Sequence, residues 1–178
     1  AILLIGLVSY VHATQIRFID KGSIGHLDNI LPPPPVEDSE EHRAELDCVL
    51  RAQESADLQT IKRVESEFSY STIAFQSVLG ANFSSSHYPL TFALINKAAK
   101  EANVFLNNQK RKFHRLRPAA VNPNIKALDI ANFDQQSYPS GHSFRGELDG
   151  LILSRIFPDK HNAIFMRSQE IGWDRVIA

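Results

Sequence analysis

Three separated groups of residues carry types and spacings that could do chemistry. Lys110 is followed, after six residues, by Arg117-Pro118. Pro139-Ser140-Gly141-His142, opened by Tyr138, comes after a polar loop, and Asp174-Arg175 stands close to Ala178. Seven residues are about two helical turns, so Lys110 and Arg117 are expected near one helix face. Crowded cations repel by roughly 4 kcal/mol per pair at 4 Å and an effective dielectric of 20. A fold tolerates this where the cluster is exposed or where it meets an anion. Pro139 suits the first turn of a helix, where its missing N–H would be unpaired anyway. Gly141 lets a ligand approach the backbone. Ser140, Gly141 and His142 are therefore expected where N–H groups and the positive end of a helix dipole point outward, an anion site with a histidine in its first turn. An ordinary capped helix start with a surface histidine fits the same four residues. Plain exposure is the reading for Arg111, Lys112 and Arg115.

The elements that must position these groups read as helices. Asp38 or Ser39 caps the first, which carries Leu46, Val49 and Leu50 as its apolar stripe. A second is expected from about Thr60, with Ile61, Val64, Phe68, Thr72, Phe75 and Val78 or Leu79 at three- and four-residue steps and Gly80 as its stop. Glu65 and Glu67 on it are two apart and cannot share a face, so they read as solvated or capping charges. After the polar loop Asn82 to His87, Tyr88-Pro89 opens a third helix, with Leu94 or Ile95, Ala98, Ala102 and Phe105 or Leu106 on one side. It runs into the basic cluster, and Pro118 ends it while pushing Arg117 away from helical geometry. A loop rich in Asn, Pro and Asp reaches Gln136. A helix from Pro139 stops near Pro158, and a last one runs from about Asp159 through Ile164, Met166 and Ile171.

Composition sets the outer bounds. The 178 residues carry a net charge of −1, which favours one domain and argues against a nucleic-acid-coating protein. Cys48 is the only cysteine, which excludes an intrachain disulfide and a cysteine zinc site; it is expected as a small apolar residue on a helix face. Residues 1–13 read as the remnant of a secretory signal, with Val11-His12-Ala13 before a cut at Thr14. Residues 14–37 form an extended segment with a stiff strap at Leu31 to Pro35, and 38–178 a helical domain. No later apolar stretch has spanning length, so a soluble periplasmic or secreted protein is expected.

Taken together, Lys110-x6-Arg117-Pro118, Pro139-Ser140-Gly141-His142 and Asp174-Arg175 resemble, in order and spacing, the signature of the type 2 phosphatidic acid phosphatase and vanadium-dependent haloperoxidase superfamily. Within it the chain looks most like the bacterial class A non-specific acid phosphatases. The Leu31 to Pro35 strap, the helix expected from Phe68 to Gly80 and ending Ser77-Val78-Leu79-Gly80, the Tyr138 opening and Glu170-Ile171-Gly172-Trp173 also match that pattern. The resemblance implies an all-α, single-domain helical bundle and hydrolysis of small phosphomonoesters through a phosphohistidine. Lys110, Arg117 and Arg175 would clamp the phosphate oxygens, with the Ser140 side chain and the Gly141 N–H donating to them. His142 would be the general acid. No metal or other cofactor is implied, and vanadate is expected as a phosphate analogue. The family often associates through helix faces, although no stripe here marks such a face.

The sequence departs from the family pattern in two places. The attacking histidine is expected six residues after Arg175, and its aspartate further on; the chain stops at Ala178, so both are absent, and the helical domain is read as cut at its C-terminal end. Neither His161, read as a surface residue, nor His114, read as packing or surface, replaces the missing histidine. Asp174 stands where the family most often has serine and could pair with Arg175 or Lys110. The 178-residue chain is therefore expected to bind phosphate weakly and turn over negligibly. A non-catalytic phosphate-binding protein and a vanadate-dependent haloperoxidase are the competing readings. The membrane lipid phosphatase branch is argued against by the lack of spanning stretches.

Overall fold

A computed structural model describes residue 18, residues 30–128 and residues 136–178. The expected secretory remnant, most of the segment before the proline strap, and part of the loop before Gln136 lie outside the described residues. Among the described residues every regular element is helical, as expected of an all-α domain. In chain order these are α1 (Glu40–Ser55), α2 (Leu58–Ser66), a 3-10 turn (Thr72–Phe75) running into α3 (Gln76–Leu79), α4 (Pro89–Phe113), α5 (Pro118–Val121), α6 (Gly141–Ile156), a second 3-10 turn (Pro158–Lys160) and α7 (His161–Ile177).

Local chemistry explains most of these boundaries. The Ser39 side chain accepts from the His42 N–H and starts α1, with Glu40 and Glu41 at the positive end of its dipole. Asp57 does the same for α2 through the Thr60 N–H. Pro89 sits in the first turn of α4, where it removes no helical hydrogen bond. Gly80 takes a left-handed φ of 97° as α3 ends, the conformation a side chain would resist.

Three boundaries differ from expectation. The helix foreseen from Thr60 to Gly80 is three pieces, with Ser66 and Ser71 at the breaks. The Ser66 hydroxyl bonds back to the Arg63 carbonyl, and the Ser71 side chain accepts from the Ile73 N–H, offering the backbone alternatives to a continuous ladder. The third helix ends at Phe113, with His114 in a left-handed cap at φ 48°, rather than at Pro118; Pro118 instead opens α5, with Arg117 extended before it. Lys110 and Arg117 thus do not share a helix. Finally, α6 starts at Gly141, so Ser140 is its cap and Pro139, joined to Tyr138 by a cis peptide bond, lies before the helix.

The core gathers around α7, which packs most extensively against α6 and also touches α1, α2 and α3. Phe75, Phe83, Phe92, Ile95, Leu153, Ile164 and Ile171 form the main apolar cluster. Phe83 reaches it from the loop read as polar. Gly146 and Gly150 let α6 and α7 approach: a Cβ on Gly146 would meet Ile171 Cγ2 at 3.0 Å, and one on Gly150 would meet Ser168 Cβ at 3.0 Å. No helix among the described residues is long and apolar enough to cross a membrane.

Candidate functional site

A cavity of about 790 Å³ opens between α1, α4, α6 and α7, and Lys110, Arg117, Ser140, Gly141, His142 and Arg175 all line it. Leu46, Val49, Phe105, Phe144 and Trp173 supply apolar wall, and Cys48 lies on the same wall as a half-buried helix residue. The three sequence groups come from different parts of the chain; hydrogen bonds tie the first two together, and the packing of α7 on α6 brings the third. The Ser137 N–H donates to the Arg115 carbonyl at 2.9 Å, and its hydroxyl to the Leu116 carbonyl at 2.8 Å. These bonds tie the approach to Ser140 against the exit from α4. The Tyr138 hydroxyl donates to the Pro32 carbonyl at 3.0 Å, and the Tyr138 ring stands edge-on to Phe113 at 5.2 Å. The proline strap therefore braces the same turn.

Lys110, in the last turn of α4, is half-buried and donates from Nζ to the Gln136 carbonyl at 2.6 Å. Burial, and after it the nearby Arg117 charge, lowers its pKa to about 8. Ser140 caps α6 by accepting from the Ser143 N–H at 3.2 Å. That bond uses a lone pair and leaves the hydroxyl proton to be donated elsewhere. Gly141 and His142 follow in the first turn, where N–H groups have no carbonyl one turn back. A Cβ on Gly141 would meet only Leu106 Cδ2, at an ordinary 3.7 Å, so close packing against the protein does not demand glycine there.

The His142 ring is held from outside its own helix. Nε2 lies 3.0 Å from the Glu67 carbonyl and 3.1 Å from the Phe68 carbonyl. Carbonyls only accept, so Nε2 carries the hydrogen, and a neutral ring then has its lone pair on Nδ1. These carbonyls face His142 because α2 stops at Ser66, so the unforeseen helix break is also what orients the histidine. Tyr70 stands edge-on to the ring, with centroids 5.8 Å apart.

Asp174 pairs with neither Arg175 nor Lys110. It is buried and takes a two-pronged grip from Arg63, with Nε at 3.0 Å and Nη2 at 2.7 Å. Arg167, also buried, reaches Glu170 at 2.6 Å, Asp174 at 3.8 Å and Glu67 at closer range. Glu67 is accordingly an ion-pair partner rather than a solvated charge; burial nevertheless raises its pKa, with Arg167 pulling the other way. Arg115 departs from plain exposure too, since it is half-buried, lines the cavity and pairs with Glu45. His114 and His161 are exposed and do not line the cavity. Sequence reasoning missed Arg63 and Arg167, which carry no spacing signal. It missed the role of the 67–71 segment as well, although its serines hinted at a break.

Cations, a capped helix start and a fixed imidazole around one cavity are the combination that can hold a tetrahedral oxyanion and exchange a proton with it. No protein-family model matches the chain. A curated non-specific acid phosphatase from Providencia stuartii is 29% identical across 83% of this chain and 63% of its own length. One from Salmonella typhimurium is 26% identical across 83% and 62%, and one from Salmonella typhi is 26% identical over the same shares. The chain thus spans less than two thirds of the length of the curated relatives it matches. Together with the motifs, these relatives support placing the chain with the non-specific acid phosphatases.

Proposed function

We propose that this chain carries the phosphate-handling part of an acid phosphatase acting on small phosphomonoesters. The observation that supports this most is the cavity shared by all six motif residues. Lys110, Arg117 and Arg175 neutralise the charge that builds on the phosphoryl oxygens, while the Ser140 hydroxyl and the Gly141 N–H donate to them. The resemblance assigns attack to a further histidine, expected six residues after Arg175. Its nitrogen bonds to phosphorus as the ester P–O bond breaks, and the leaving oxygen takes a proton from the His142 imidazolium. Water then attacks the phosphohistidine, breaking the P–N bond and returning a proton to His142. The reading needs no metal, takes vanadate as a phosphate analogue, and places the enzyme in the periplasm or outside the cell. Asp174 serves packing, through Arg63, rather than the anion.

The test is hydrolysis of a chromogenic phosphomonoester at mildly acidic pH by the full-length gene product. Loss of a general acid predicts a fall in kcat of about 10²–10⁴-fold for His142→Ala. The 178-residue chain is expected to bind inorganic phosphate without turnover. Substantial hydrolysis by that chain would displace the assigned nucleophile. Halide oxidation by the vanadate-loaded full-length protein, without ester hydrolysis, would favour the haloperoxidase reading.

A further inference from the structure

Behind His142 lies a buried polar cluster that the proposed chemistry does not use. Asp149, two turns further along α6, has no exposed surface. Its Oδ2 accepts from Thr72 Oγ1 at 2.7 Å and from the Tyr70 hydroxyl at 2.8 Å. Its Oδ1 faces Arg145 Nε at 3.6 Å, an ion pair longer than a hydrogen bond, and neither atom has another partner. The Arg145 guanidinium also lies over the Tyr70 ring at 5.1 Å. A buried carboxylate is unfavourable unless donors are aimed at it, and two of its donors come from one short stretch of chain.

That stretch is the one that meets His142. Between the end of α2 and the 3-10 turn, residues 67–71 have no helical ladder to fix them. Glu67 and Phe68 in it offer their carbonyls to His142 Nε2, and Tyr70 in it presents its ring to the imidazole. The stretch is anchored at one end by α2 and the Glu67–Arg167 ion pair, and at the other by the two hydroxyls on Asp149.

We infer that Asp149 is a positioning residue for His142: by gripping Tyr70 and Thr72 it fixes the segment whose carbonyls hold the Nε2 proton and whose aromatic ring backs the imidazole. Its importance for catalysis rests on the role proposed for His142. The geometric claim does not, and it can be read without turnover.

The experiment is ¹⁵N NMR of the histidine rings in this chain, comparing wild type with Tyr70→Phe, Thr72→Val and Thr72→Ser. Each variant removes or keeps one hydroxyl while preserving bulk. Wild type is expected to show neutral His142 as the Nε2–H tautomer with a slowly exchanging proton. Tyr70→Phe and Thr72→Val are expected to raise the share of the Nδ1–H tautomer and to speed exchange of the Nε2 proton about tenfold, the scale of one hydrogen bond to a charged group. Thr72→Ser, which keeps the donor, is expected to match wild type. If the two hydroxyl deletions lower the melting temperature but leave tautomer and exchange unchanged, Asp149 is merely structural and the inference fails. A wild-type Nδ1–H tautomer would overturn it as well. Adding inorganic phosphate separates the two claims: His142 signals that ignore phosphate count against the proposed function, while the tautomer comparison still decides the positioning role.

Discussion

Lys110 is held between two demands. Its ammonium is half-buried beside Arg117, which lowers its pKa to about 8, yet the proposed chemistry needs it charged. In the free chain it is protonated below about pH 8. If only that form binds, affinity for inorganic phosphate should fall about tenfold between pH 7 and 9. A bound anion raises the lysine pKa again, so the complex should titrate higher than the free chain. Lys110→Ala should weaken phosphate about 10–100-fold at pH 6, the loss of one charge-assisted hydrogen bond, and Lys110→Arg should flatten the pH dependence. Calorimetric titration with phosphate at several pH values checks this; affinity constant from pH 7 to 9 in wild type would remove Lys110 from the anion site. Stability has its own sign. The folded pKa lies below the unfolded value, so the burial cost is present below about pH 8 and fades as pH rises toward 10.5.

At the scale of elements, α6 brings His142 to the cavity and α7 brings Arg175, so their separation matters to the site. Gly146 and Gly150 set it. Alanine at Gly146 would gain about 1 kcal/mol of helix propensity, but its Cβ would press on Ile171 at 3.0 Å and on the Ser168 carbonyl at 3.3 Å. Overpacking of this kind costs about 1–3 kcal/mol, so the net effect of Gly146→Ala should be a loss of about 1 kcal/mol. Urea unfolding would measure it, and a stabilised variant would mean the helices can slide apart without strain. The same elements show what a sequence discloses. α4 is legible because Ile95, Ala98, Ala102 and Leu106 repeat with the helical period and are all buried. The Lys110, Arg117 and His142 positions are legible because motif spacing survives whatever joins the motifs. The break after Ser66 is not legible from period alone, since Phe68, Thr72 and Phe75 keep helical spacing across it. There tertiary partners decide: the Glu67 and Phe68 carbonyls turn to His142, and Thr72 turns to Asp149. Arg63 and Arg167 were invisible for a similar reason, because an ion pair 100 or more residues apart in sequence leaves no local trace.

At the scale of the molecule, the distribution of buried carboxyls bears on the acidity at which the chain is most stable. Glu67 and Asp149 are both raised above the ordinary carboxylate range, chiefly by burial. Just above that range the folded chain therefore binds more protons than the unfolded chain. Their contribution to stability is full below about pH 4 and is lost as pH rises through the folded pKa values. Asp57, an exposed cap whose pKa is lowered, runs the other way, but its charge is screened by solvent. The melting temperature should accordingly fall as pH rises above the ordinary carboxylate range, the opposite of a protein whose carboxylates are stabilised as anions. Glu67→Gln makes the argument specific. It removes the pairing with buried Arg167, which keeps Glu170 and Asp174, so the melting temperature should drop, by the equivalent of about 2 kcal/mol at the acid end and by less as pH rises. It should also flatten that decline over the pH range where it occurs, because one of the two protons responsible is gone. Thermal unfolding followed by circular dichroism across that range separates the two effects. A variant curve merely displaced downward, parallel to wild type, would mean that Glu67 ionises normally in the fold, and the mildly acidic stability proposed here would need another source.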